Sequence, residues 1–337
     1  MTTSPTLPVR RLGATGPEVS ALGLGLLGMS DLYGPADEAE GVATIHAALE
    51  EGVTLFDTGD FYGMGHNEML LREALRGRRR DRAVVSVKFG ALRDPAGGWN
   101  GQDNRPEAVK NFVAYSLRRL GTEHIDVYRP ARLDPNVPIE DTVGAIAELV
   151  QAGHVRHIGL SEVGAGTLRR AQAVHPIVDL QIEYSLISRG IEGEILPTAR
   201  ELGIGITAYG VLSRGLISGH WQRDRKLTAD DFRGVSPRFE DGNLQRNLSL
   251  VESLREVAEA RGATVAQLAI AWVAAQGTDI VPLVGARTRA RLAEALPAAS
   301  LTLTPADLAA IEEAMPATAV SGSRYAPAMM ELLDSEH

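Results

Sequence analysis

Gly23-Leu-Gly25-Leu-Leu-Gly28-Met29-Ser-Asp-Leu-Tyr-Gly-Pro35 is the stretch on which the fold turns. Its first six residues spell G-x-G-x-x-G, the phosphate-binding turn of a doubly wound sheet. That turn needs a strand before it and a helix directly after it, so that the helix N-terminus meets the phosphate. Ala21–Leu24 is apolar enough for the strand. Met29–Pro35 does not start a helix and closes on Gly-Pro. Helical periodicity begins only at Asp37–Glu51, where Ala39, Val42, Ile45 and Leu49 share a stripe. The doubly wound reading fails at its first turn, and the strands beyond it decide the alternative.

Those strands are Thr54–Asp57, Ala83–Lys88, Ile125–Tyr128, Val155–Leu160, Ile177–Gln181, Gly205–Ala208 and Ile280–Leu283. With Ala21–Leu24 they make eight short, largely apolar runs, as suits parallel strands buried on both faces. Between them lie helical stretches at Arg105–Leu120, Ile139–Gln151, Gly166–Val174, Glu194–Leu202, Asn243–Arg261 and Ala290–Leu296. Val265–Ala275 and Pro305–Ala314 read as additional helices. Asn104 is an N-cap candidate ahead of Pro106. Val9–Leu12 and Glu18–Val19 flank the Gly13-Ala-Thr-Gly16 turn as a hairpin. The pattern predicts a (β/α)8 TIM barrel with an N-terminal β-hairpin, one domain over residues 1–337. Gly90–Gln102 and Ser213–Gln245 read as loops, the second long enough to act as a lid.

The chain has 337 residues, 44% hydrophobic and 23% charged, an ordinary globular balance. Its net charge of −9 argues against a nucleic-acid partner. There is no cysteine, which removes disulfides, thiolate nucleophiles and Cys-bound metals. MTTSPTLPVRRLG has no apolar core of a secretory signal, and no apolar run approaches the ~20 residues that span a bilayer. The expectation is a cytoplasmic protein without membrane contact. None of the eight histidines closes a predicted strand, so no metal site is expected.

In a barrel of this kind the site lies at the C-terminal ends of the strands. The second strand ends in Asp57-Thr-Gly-Asp-Phe-Tyr62-Gly and the third in Lys88. The fourth runs into Ala131-Arg132-Leu-Asp134-Pro. The fifth ends in Ser161-Glu162, the sixth in Gln181-x-Glu183-Tyr184, the seventh in Tyr209, and the eighth in Gly285-Ala-Arg287. Tyr62, Lys88 and Asp57 suggest acid–base chemistry. A phenol has a pKa of ~10, and a neighbouring ammonium is expected to lower it. A carboxylate beside the lysine would keep it charged and aimed.

The pattern resembles the aldo-keto reductases. The segment Asp57–Gly63, then Asn67-Glu68 and Val87-Lys88, is similar to that family's central signature. Ile125-Asp126-x-Tyr128, Leu133-Asp134-Pro135, Gly159-Leu-Ser161, Gln181-x-Glu183-Tyr184-Ser185, Ala208-Tyr209 and Arg214-Gly215 extend it in order, from about Val9 to Leu296. The resemblance implies a (β/α)8 barrel, NADP(H) as cofactor (NAD(H) less often) and a small carbonyl or alcohol substrate. It implies Tyr62, Lys88 and Asp57 as the catalytic group. Ser161 and Gln181 would hold the nicotinamide carboxamide, and Tyr209 would stack on the ring. Leu212, Ser213 and Arg214 would give backbone N–H groups to the pyrophosphate, with Met29 near the nicotinamide. Arg287 and Arg291 would serve the adenosine 2′-phosphate and Glu294 the adenine, with Gly285 also among the cofactor-binding residues.

One departure stands out. The family's fourth strand normally ends in a histidine followed by arginine, and here the histidine position is Ala131. Arg129, two residues earlier on the same strand face, is the candidate replacement donor, which puts Tyr62, Arg129 and Ala131 in the substrate pocket. Ala-Arg here is also similar to pyridoxal reductases, and a methyl group widens the mouth for a bulky aldehyde. Glu162, Ala286 and Ala295 are further departures, at positions where many members carry other polar side chains. A second function fits the same resemblance, a barrel that binds NADP(H) and reports redox state with little turnover. The sequence leaves oligomeric state open.

Overall fold

The short apolar runs become the staves of a closed barrel in the computed structural model, which describes residues 7–30, 32–222, 224–228 and 231–337. The first six residues, Asp31 of the stretch quoted above, and Arg223, Ala229 and Asp230 of the long loop lie outside the described residues. Strands β1 (Val9–Arg11) and β2 (Glu18–Ser20) pair antiparallel as the expected hairpin. Then come β3 (Gly23–Gly25), β4 (Leu55–Gly59), β5 (Val84–Phe89), β6 (Ala91–Arg93), β7 (Trp99–Gln102) and β8 (Ile125–Pro130). They are followed by β9 (Val155–Ser161), β10 (Ile177–Glu183), β11 (Gly205–Tyr209) and β12 (Ile280–Gly285). Among the described residues, β3, β4, β5, β8, β9, β10, β11 and β12 form one closed parallel barrel, sealed where Leu283 pairs with Gly23. After β3 the chain makes a 3-10 turn at Leu27–Met29, and α1 (Glu38–Glu50) starts only later, capped by Asp37.

All eight barrel strands were legible, and most of them run one or two residues further at the C-terminal end than their apolar runs. Main-chain pairing is indifferent to side-chain polarity, so it continues through the polar ends: Gly59 pairs with Lys88, and Glu183 with Tyr209. The residues that matter at the mouth are therefore held in the ladder itself.

The other helices are α2 (His66–Ala74), α3 (Pro106–Leu120), α4 (Ile139–Gln151), α5 (Ala165–Val174), α6 (Ile195–Glu201) and α7 (Asp241–Ala260), followed by α8 (Val265–Ala275), α9 (Arg289–Ala295), α10 (Pro305–Ala314) and α11 (Pro327–Met330). Helix α2 was not expected. It is short, opens on the polar run His66-Asn-Glu68 and has no side-chain cap. Its apolar face, Leu70, Leu71 and Ala74, is nevertheless buried. The cap assigned to Asn104 is a correction. Arg105 occupies the N-cap of α3 without a side-chain bond. Asn104 instead donates to the Arg132 carbonyl (2.8 Å).

Most of the core lies between strands and helices. The bottom of the barrel is closed separately. Leu12 and Val19 of the hairpin pack on Leu55, Val127, Val178 and Val281, all buried. Gly13 (φ +61) makes this fit possible, since a Cβ there would lie 2.3 Å from the Val178 carbonyl oxygen. The opposite end stays polar, and there the site is built.

Candidate active site

Asp57, midway along β4, is the hub. Oδ2 accepts from Lys88 Nζ, while Oδ1 accepts from Ser86 Oγ (3.0 Å) and Gln181 Nε2 (2.8 Å). The Lys88 and Asp57 side chains are only 5% and 4% exposed. Burial, helped by the charges of Arg129 and Arg132, lowers the Lys88 ammonium to about 8, against the pull of Asp57. Three strands thus supply one buried, hydrogen-bonded carboxylate–ammonium pair.

Tyr62 closes the cluster. Its ring centroid lies 5.1 Å from Lys88 Nζ. Gly59 makes room, because a Cβ there would meet the ring at 3.1 Å. Phe61 packs edge-on against Tyr62 (4.9 Å), and Trp99 of the β6–β7 hairpin against Phe61 (5.6 Å). That hairpin falls inside the segment read as a loop. Its signal was present: Asp94 Oδ1 accepts from Ala96 N and Gly98 N, a side-chain-stabilised turn. The expected lowering of the Tyr62 phenol is corrected. Burial pushes it well above 10, Asp57 adds to this, and Arg132 opposes. The phenol is held protonated.

On β8 the structure separates two residues that the sequence placed together. Arg129 does not reach the mouth. It and Asp179 are both 0% exposed and form an ion pair (2.9 Å) inside the barrel. An inward-facing residue within a strand points at the barrel filling, which corrects its assignment to the substrate pocket. Ala131 is buried beside Phe61, Tyr62 and Ala91, with Leu27 against them. Arg132 was not singled out. Its Nη1 donates to the Ala131 carbonyl (2.7 Å), and its charge acts on Tyr62 and Lys88.

The residues expected around a nicotinamide dinucleotide ring the same end of the barrel. Ser161 Oγ is buried and, among the described residues, has no hydrogen-bond partner, so a polar group is wanted there. Gln181 beside it on β10 reaches Asp57. Tyr209 bonds Tyr325 through the hydroxyls (3.0 Å). Ser213 and Arg214 take left-handed backbone conformations, and the Ser213 N–H is already given to Gly210 O (2.6 Å). Gly285 faces open space. Arg287 donates to Tyr33 O (3.0 Å) and Pro35 O (3.4 Å). Arg291 (3.1 Å) and His220 (2.7 Å) both bond Glu294. The Met29 side chain is turned into the core against Gly41 of α1, so it does not line the mouth. The orphaned Ser161 hydroxyl, the left-handed turn and the open Gly285 end fit a dinucleotide.

The C-terminal tail was the larger omission. Glu162, noted only as a departure, is buried in a left-handed conformation (φ 54) and accepts from Arg324 Nη1 (2.9 Å) and Nη2 (2.6 Å). It also accepts from Glu183 N (2.9 Å) and Ser335 Oγ (2.8 Å). Burial pushes Glu162 up, but Arg324 outweighs it and holds the carboxyl at about 2. Arg214 donates to the Arg324 carbonyl (3.0 Å) and lies over the Tyr325 ring (4.6 Å). The tail therefore roofs the Tyr209 side of the mouth.

A buried ammonium–carboxylate pair beside a phenol held protonated can give a proton to an oxygen that gains charge, which is the acid chemistry of a carbonyl oxidoreductase. The pattern defining the Aldo/keto reductase family matches residues 21–316, and the chain belongs to that family. It is 41% identical over 328 residues to "Probable aldo-keto reductase 1" of Glycine max, covering 96% of this chain and 93% of that one. Among solved structures, the glycerol dehydrogenase of Gluconobacter oxydans superposes with a TM-score of 0.83 at 31% identity, over 93% of this chain and 95% of that one. A thermostable aldo-keto reductase in complex with the inhibitor epalrestat gives 0.74 at 26%, over 91% and 100%. Carbonyl redox chemistry with a nicotinamide cofactor follows from the family. Among the described residues, no helix is long and apolar enough to cross a membrane, and no cluster of His, Cys, Asp or Glu is set to hold a metal ion.

Proposed function

We propose that this protein is an NADP(H)-dependent carbonyl reductase, reversible toward alcohol oxidation, acting as one cytoplasmic domain on bulky or aromatic aldehydes of the pyridoxal kind. The observation that carries the reading is the buried Asp57–Lys88 pair against Tyr62. A bound reduced nicotinamide would supply the hydride to the carbonyl carbon. Tyr62 gives its proton to the carbonyl oxygen, and its high pKa keeps that proton in place until the oxygen gains charge. Lys88 and Arg132 stabilise the phenolate left behind, and solvent returns the proton. Asp57 is a positioning residue that fixes Lys88 and Gln181.

Ser161, Gln181 and Tyr209 would receive the nicotinamide, and Leu212, Ser213 and Arg214 the pyrophosphate. Gly285, Arg287 and Arg291 would receive the 2′-phosphate, and Glu294 the adenine once it lets go of His220. Arg287 supports NADP(H) over NAD(H): among the described residues its guanidinium contacts only carbonyl oxygens. Ala131 supports a bulky substrate, since a methyl is a small side chain to stand beside Tyr62, Phe61 and Ala91.

The test is a fluorescence titration with NADPH and NADH, followed by a panel of aldehydes including pyridoxal. Tight NADPH binding and oxidation on adding an aldehyde are expected, with Tyr62→Phe losing ~10²–10⁴-fold in turnover at unchanged NADPH affinity. Full turnover in Tyr62→Phe would overturn the mechanism. Tight binding without turnover on any carbonyl would replace it with a redox-reporting role.

A further inference from the structure

Among the described residues, the cations inside the mouth are paired, with one exception. Lys88 faces Asp57 and Arg324 faces Glu162, while Arg129, one layer below the mouth, faces Asp179. Arg214 and Arg238 share Glu183. Among the described residues, Arg132 has no carboxylate within salt-bridge distance, and its one side-chain hydrogen bond spends Nη1 on the Ala131 carbonyl. Its main chain is fixed: Asn104 Nδ2 bonds its carbonyl (2.8 Å), and Asn104 is itself held by Asp134 (3.2 Å) and Thr142 (3.0 Å). A rigidly mounted guanidinium with free donors, next to the residue that packs on Tyr62, is a bidentate oxyanion receptor.

Resting on the reductase reading above, we propose that Arg132 anchors an anionic oxygen group of the substrate, so that the preferred substrates are carbonyl compounds bearing a carboxylate or phosphate. The aldehyde end then meets Tyr62 beside Ala131, and a ring between the two ends lies against Phe61 and Trp99. A neutral aldehyde of the same shape forfeits the charge-assisted bonds and leaves the guanidinium unanswered. That loss corresponds to a ~10- to 100-fold lower kcat/KM.

Two matched pairs of aldehydes test this: 4-carboxybenzaldehyde against its methyl ester, and pyridoxal 5′-phosphate against pyridoxal. The wild type is expected to favour the anionic member of at least one pair by tenfold or more, and the pair that responds identifies carboxylate or phosphate. Arg132→Gln should erase the preference, Arg132→Lys should restore part of it, and NADPH affinity should not move. Equal kcat/KM within both pairs would overturn the proposal. So would an Arg132→Gln variant that loses NADPH affinity and keeps the preference, because Arg132 would then serve the cofactor. If no aldehyde turns over, the reductase reading fails by itself. The anchor is then judged by calorimetry of 4-(hydroxymethyl)benzoate and its methyl ester in the presence of NADP+. Tighter binding of the acid that Arg132→Gln abolishes sustains it, and equal affinities sink it.

Discussion

Replacing Arg324 by Met tests how the roof over the Tyr209 side is held. Glu162 is fully buried and its carboxyl sits at about 2 against an ordinary 4.5. At ~1.36 kcal/mol per pH unit, that gap is worth about 3 kcal/mol. Removing one partner of a buried ion pair costs ~3–5 kcal/mol, an independent figure of the same size. The tail bears this loss first, because Arg324 also ties it to Glu336 (2.6 Å), and Asp334 Oδ2 accepts from Gly164 N (2.7 Å). Hydrogen exchange of residues 321–337 should therefore speed up by about two decades in Arg324→Met, with far smaller changes in the barrel strands. The pH sign is fixed by the same group. Its folded pKa is depressed, so its contribution is complete above 4.5 and disappears as pH falls toward 2. The difference between wild type and variant must shrink as pH falls and be gone by the bottom of that window, its onset lying above 4.5 because burial raises a Glu162 that has lost Arg324. Unchanged tail exchange at neutral pH would refute the reasoning, and so would a difference that persisted at pH 2.

Three further outcomes are expected. Lys88, with its ammonium at about 8, should make reductase kcat/KM fall as pH rises through that value. Lys88→Met should be slow at every pH and lack the inflection; a pH profile left in place by that variant would assign it to another group. Arg287→Met should weaken NADPH ~10- to 100-fold and leave NADH unchanged, read by cofactor titration; an equal loss for both would place Arg287 away from the 2′-phosphate. Arg129→Met strands a fully buried Asp179 and should cost ~3–5 kcal/mol in denaturant unfolding. Adding Asp179→Asn should recover part of it, and no recovery would mean that the loss is packing alone.

The barrel was readable because each strand is buried on both faces and writes itself as an unbroken apolar run, while a G-x-G-x-x-G string without its helix could be discounted. The ends of those runs were harder, because hydrogen-bond pairing carries polar residues such as Lys88 and Glu183 along in the ladder. Asp57, Lys88 and Tyr62 were legible as chemistry, since a lysine and an aspartate ending adjacent apolar runs have few other uses. Arg129 was misplaced for a physical reason. Strand alternation tells which face a residue shares, but not whether it lies at the mouth or one layer down, where Asp179 was waiting. Glu162 read only as a departure from the family pattern while its partner was unknown, and that partner lies 162 residues away. Tyr325 is 116 residues from Tyr209, and no local periodicity announces such a contact.

The electrostatics of the mouth tie these residues to the chemistry. The chain as a whole carries −9, yet among the described residues the cations of the mouth (Lys88, Arg132, Arg214, Arg238 and Arg324) outnumber by one the carboxylates that face them (Asp57, Glu162, Glu183 and Glu336). A global negative charge repels nucleic acid without denying entry to a dinucleotide, because the field that a ligand meets at short range is local. The surplus also bears on Tyr62. Burial and Asp57 raise its phenol, whereas Arg132 is the largest influence drawing it down. An acid that must release its proton only when the carbonyl oxygen gains charge needs both: a high resting pKa to keep the proton, and unspent positive charge to stabilise the phenolate. Arg132, one residue beyond Ala131, supplies a permanent positive charge of that kind at this strand end.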